Sequence, residues 1–169
     1  MADHPADPSL DRLLRHMAWA NQSLIATLTT LPDSALQLAA PNNEWHVARI
    51  LDHLVGAADN YANRLEGGVR GPKTEPPTAA LELRALGARI AAIDARLRAQ
   101  AALPEARAGY AGDTDDNLPA RSTVVAQSIH HATEHRAQIA EALSTNGIKA
   151  IDLDAIDLWE FADAQDRSV

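Results

Sequence analysis

Apolar residues recur every three or four positions in four long stretches of the chain, the spacing of a helix with one buried face. The first stretch runs from about Ser9 to Leu31 and carries Leu10, Leu13, Leu14, Met17, Leu24, Ile25, Leu28 and Leu31, with Pro32 and Asp33 closing it. The second stripe is Val47, Ile50, Leu51, Leu54, Ala58, Tyr61 and Leu65. Pro41, Asn42 and Asn43 offer caps before it, and Gly67 and Gly68 stop it. The segment from Gly71 to Thr78, with its prolines, reads as a crossing loop. A third helix follows from Leu81 to about Leu103, on Leu83, Leu86, Ile90, Ile93 and Leu97, and Pro104 ends it. The polar, turn-rich run from Gly109 to Pro119 reads as a small hairpin or an irregular loop. A fourth helix is predicted from about Arg121 to Ser144, with Asn146-Gly147 as its C-terminal cap, and Leu153 to Ala164 as a short fifth helix lying on the others.

Period-two runs of β-branched residues are nearly missing, and glycine and proline gather between the periodic stretches. The pattern therefore predicts an all-α protein, a four-helix bundle with a short C-terminal helix. At 169 residues the chain is the length of one domain, and no internal repeat divides it. A formal charge of -8 repels polyanions, so nucleic acid is not an expected partner. The opening Met-Ala-Asp-His-Pro-Ala-Asp-Pro lacks the basic and apolar regions of a signal peptide, and no apolar stretch reaches the ~20 residues of a membrane span. The expectation is a cytoplasmic protein with no membrane partner.

The absence of cysteine narrows the available chemistry. No disulfide or thiolate metal site can form, so any metal must be held by imidazole or carboxylate. Helical angles sort the seven histidines. Measured from Val124, His131 and His135 fall at about -20° and 20°, beside an apolar stripe centred near ~100°, while His130 points elsewhere. Histidines at i and i+4 bring two ring nitrogens within reach of one ion. His53 borders the apolar stripe of the second helix in the same way, so two adjacent helices can aim three imidazoles into one cleft. Three imidazoles on a divalent ion leave open positions, the arrangement of a catalytic rather than a structural site.

The wording around these residues strengthens that reading. Met17-Ala-Trp-Ala-Asn-Gln-Ser-Leu24 with Leu31-Pro-Asp33, Trp45-His-Val-Ala-Arg-Ile-Leu-Asp-His-Leu54 and His131-Ala-Thr-Glu-His-Arg-Ala-Gln-Ile139 occur in that order. Together with Leu143-Ser-Thr-Asn-Gly147 and Ile151-Asp-Leu-Asp154, they resemble the DinB/YfiT-like metalloenzyme superfamily over about Ser9 to Ala164. The resemblance implies a four-helix bundle with a long crossover connection, one divalent metal ion on three histidines, and a homodimer. By position the ligands fall on His53, His131 and His135. His4, His16, His46 and His130 lie outside the match and are expected to be solvated or merely supporting.

Other residues carry plainer expectations. Asn21 lies in the middle of the first helix's apolar stripe and should be buried and hydrogen-bonded for packing. Gln138 and Glu134 flank the His131 face, where either could orient a ligand, although Glu134 reads first as solvated. Arg136 points over the apolar side and should pair with a carboxylate or pack its stem. Asp52 and Asp59 read as surface acids, Trp45 as a packing plug, and Trp19 as a ring covered by the C-terminal segment or by a second subunit.

For function, the resemblance implies a thiol-dependent S-transferase or isomerase, in which the metal activates an exogenous low-molecular-weight thiol for reaction with a small-molecule substrate. The alternatives are a metal-dependent hydrolase and a non-catalytic metal-binding bundle. Zinc or nickel is the first expectation for the ion, with iron or manganese behind them, since imidazole suits several of these metals.

Overall fold

A computed structural model describes residues 7–41, 43–114 and 117–166. Among these residues there are five α-helices: α1 (Pro8–Leu28), α2 (Val47–Leu65), α3 (Ala80–Ala101), α4 (Arg121–Ser144) and α5 (Leu158–Asp166). Short 3₁₀ turns at Asp33–Gln37 and Asp154–Ile156 join them, and no strand occurs among the described residues. The family of contacts makes the order around the bundle α1, α3, α2, α4. The consecutive pairs α1/α2 and α3/α4 thus sit across the diagonals, and the chain must cross the bundle end twice.

The helix ends follow local chemistry. Asp7 caps α1 by accepting a 2.8 Å hydrogen bond from the Ser9 N–H, with Pro8 at the first helical position. At the other end of the bundle, Gly147 adopts a φ of 83° beyond α4, and the Ile148 N–H returns to the Leu143 carbonyl. The cap of α2 differs from the sequence expectation. His46 performs it, its ring accepting from the Arg49 N–H, while Asn43 turns the preceding backbone by accepting from the Trp45 N–H. Asn42 lies outside the described residues.

Leucine, isoleucine and alanine fill the interior. Leu14, Met17, Leu24, Ile50, Leu51, Leu54, Leu83, Ile90, Leu97, Ile139 and Leu143 are essentially inaccessible. Each such side chain contributes roughly 1.5–3 kcal/mol through burial. The tail ends as α5 against α1, where Phe161 is buried and stands 5.6 Å from Trp19 and 5.8 Å from His16. The His16 Nε2 lies 2.9 Å from the Ile156 carbonyl. Trp19 is therefore covered by its own chain. His16 is a packing residue rather than a solvated one.

Candidate metal centre

The two predicted faces do meet. α2 and α4 are among the most closely packed pairs, and their contact carries His53 opposite His131 and His135. The His131 Nε2 stands 3.2 Å from the His53 Nε2 and 3.0 Å from the His135 Nε2. One ligating nitrogen from each ring lies within 4.8 Å of the others. Two nitrogens held at ~2.1 Å from one ion are about 3.0 Å apart at a right angle and about 3.4 Å apart at a tetrahedral angle. The observed spacing is on that scale.

Hydrogen bonding alone leaves this cluster incomplete. His135 Nδ1 is 2.7 Å from Gln138 Oε1, which accepts, so the proton sits on Nδ1 and the Nε2 of the neutral ring presents a lone pair. His131 Nε2 is either a donor or an acceptor. As a donor it serves one neighbour only; as an acceptor it leaves two lone pairs facing each other on the His135 side. A cation satisfies all three nitrogens together, so the donor set fits a divalent ion.

Burial works in the same direction. It lowers the His131 imidazole from 6.5 to about 4, with repulsion from His135 and His53 adding to the effect. His53 is also lowered, first by burial and then by the charges of His135 and Arg49, against an opposing pull from Asp52. Both rings consequently keep their lone pairs in mildly acidic solution.

Two hollows open onto these rings. The larger, about 730 Å³, reaches His53 along the α2 face formed by His53, Ala57, Asn60 and Arg64. The smaller, about 420 Å³, is bounded by Asn43, Glu44, Trp45, His53, His135 and Gln138. Trp45 packs against the core, as expected of a plug, and is also part of the site wall, 4.8 Å from His53 and stacked at 6.4 Å on His135. Tyr61, which the apolar stripe assigned to the core, turns its half-buried ring edge-on to His131 at 5.5 Å and lines the larger hollow. Periodicity gave no signal for that, because a tyrosine at a stripe edge fits either environment.

The remaining expectations divide. His130 and Glu134 are exposed, as expected. His46 is a helix cap, and His4 lies outside the described residues. Asp52 is no surface acid: it is buried, accepts a hydrogen bond from the Thr74 hydroxyl and borders the larger hollow. Asp59 is not one either, since Arg89 and Arg96 bind it at 3.0 and 2.9 Å. Thr74 and the two arginines come from distant parts of the chain, which no helical angle on α2 reveals.

The family model described as the DinB family matches residues 1–167. No curated protein and no solved structure matches the chain.

Proposed function

The chain belongs to the DinB family, and on that premise we propose that His53, His131 and His135 hold one divalent metal ion through their Nε2 atoms. The protein is then a metal-dependent transferase or isomerase that uses an exogenous low-molecular-weight thiol. The convergence of three Nε2 atoms that cannot satisfy one another carries this reading. When bound, the ion supplies Lewis acidity and lowers the pKa of a coordinated thiol or water. Gln138 fixes the His135 tautomer, Trp45 walls one side of the rings, and the two hollows give separate approaches for two reactants. Since the chain has no cysteine, the nucleophile comes from outside it.

Zinc or nickel suits this all-nitrogen set, with iron or manganese as less fitting occupants. Elemental analysis of untagged protein decides among them. Cobalt-substituted protein mixed with small thiols should develop a sulfur-to-metal charge-transfer band, absent in His135→Ala. No band with any thiol, together with hydrolysis of an activated ester, would favour a hydrolase instead. We also propose a homodimer, and a mass of 18.1 kDa in light scattering would refute that assembly.

A further inference from the structure

The larger hollow is electrically unlike the rest of the molecule. Its wall includes Arg49, Arg64, Arg70 and Lys73 against only Asp52 and Glu75, an excess of positive charge in a chain of net -8. Arg64 and Arg70 both lie on the ring of Tyr110, their guanidinium carbons 4.9 and 4.3 Å from its centroid. Two like charges so close to one ring repel, and among the described residues neither has a carboxylate partner. Their support is well anchored. The Tyr110 hydroxyl donates to the Asn60 carbonyl at 3.2 Å, and the Gly71 N–H donates to the Asn60 side-chain oxygen at 3.0 Å. Ala111 donates its N–H to the Gly68 carbonyl at 2.7 Å, tying the Tyr110 loop to the segment that carries Arg70.

Two guanidiniums held on one ring, with no acidic partner among the described residues, form a receptor for an oxyanion, which accepts their N–H groups and relieves the repulsion. The pair is also in line with the histidines. Arg64 follows His53 by eleven residues on α2, three turns later and on the same helix face, a rise of about 16 Å. Gly56 leaves the wall between them open, for a Cβ built there meets nothing within 4 Å.

We propose that the larger hollow takes an elongated anionic thiol, whose terminal carboxylate or phosphate is gripped by Arg64 and Arg70 while its sulfur reaches the histidine cluster. This assignment of the cosubstrate class rests on the metal-and-thiol reading above, but the anion grip is testable apart from it. Arg64 and Arg70 are binding residues in this scheme, and Tyr110 and Asn60 position them.

The test is calorimetric titration of zinc-loaded protein with a chain-length series of ω-mercaptocarboxylates, each paired with the ω-mercaptoalcohol of equal length. At the best length the acid should bind about ten-fold more tightly than the alcohol. The Arg64→Gln, Arg70→Gln double variant should erase that difference while leaving zinc content and alcohol affinity unchanged, the latter two also reporting correct folding. An ω-mercaptoalkyl phosphate of the same length tells the two oxyanions apart. Equal affinity of acid and alcohol at every length overturns the proposal, as does a preference that survives in the double variant or an absence of binding by both series. His135→Ala protein separates the two ideas. An acid preference retained there, with no thiol band in the cobalt form of the parent protein, sinks the metal reading and leaves the anion grip standing; a band in the parent protein reached at equal concentrations of acid and alcohol does the reverse.

Discussion

His135 and Arg136 are consecutive residues of α4, and each is almost fully buried, at 6% and 4% exposure. About 100° of helix rotation sends them into opposite worlds. Arg136 turns toward α1 and α3, where its guanidinium donates to Asn21 Oδ1 at 2.8 Å, and it also donates to the hydroxyl of Thr133 on its own helix at 3.0 Å. Asn21 in turn donates to Asp94 at 3.1 Å, closing a chain of charge through an amide. His135 turns toward α2, where its Nε2 faces the His131 imidazole and its ring borders the smaller hollow. One node is complete within the protein and the other is not. Completeness marks the first as a packing device and incompleteness marks the second as a place for something from outside.

The largest effect expected from breaking this contrast is at the complete node. Arg136→Met leaves Asp94 and Asn21 buried without their cation, and should cost about 3–5 kcal/mol in urea denaturation. Metal content per folded molecule should stay as in the parent protein. A loss below ~1 kcal/mol would mean that the node holds little of the fold together.

At the incomplete node the ranking inverts. His53→Ala, His131→Ala or His135→Ala should weaken metal binding by about a hundred-fold or more, roughly 3 kcal/mol, with smaller changes in the stability of the metal-free protein. His130→Ala, on the exposed side, should leave metal content unchanged. Equal metal content in all four variants, read by elemental analysis, would remove the three-histidine assignment.

The two nodes also oppose each other in pH. His131 is held at about 4 when folded against 6.5 ordinarily, so its contribution to stability is full above pH 6.5 and is lost as pH falls toward 4. Asp94, raised from 3.8 to about 6 chiefly by burial, runs the other way: folding is penalised increasingly as pH rises from 3.8 to 6. In metal-free protein the two slopes offset each other across nearly the same window. Asp94→Asn keeps the shape of the side chain and removes one slope. Its stability relative to the parent should therefore rise by on the order of 2 kcal/mol between pH 4 and pH 6.5. A pH-independent difference between the two proteins in chemical denaturation would show that Asp94 is not the opposing group.

The smallest effect belongs to the residue that orients rather than ligates. Gln138→Leu removes the acceptor for the His135 Nδ1–H and frees the ring to turn. Metal affinity should fall about ten-fold, ~1.4 kcal/mol, without loss of stoichiometry at saturating metal. Unchanged affinity in a competition titration against a chelator would assign Gln138 to packing alone.

Much of this was fixed along the chain and needed no tertiary knowledge. The recurrence of Val125, Ile129, Ala132, Ile139 and Leu143 marked α4 between Arg121 and Ser144, since a helix that buries one face must repeat its apolar residues with its own turn. The same angular arithmetic put His131 and His135 on one face and left His130 outside it, and it buried Asn21. The sequence could not say what lay opposite those faces. That His53 meets the pair depends on α2 packing beside α4 although α3 lies between them in the chain. That Asp94 faces Asn21 depends on α1 packing against α3, and Asp94 carries no mark of burial among the other charged residues of its helix. Thr74 on Asp52, Arg89 and Arg96 on Asp59, Phe161 on Trp19 and Tyr110 beneath two arginines are likewise decided in space. A residue's helical face is local geometry, fixed within a few turns of backbone, whereas its partner comes from a segment tens of residues away that only the packing of the whole bundle brings near.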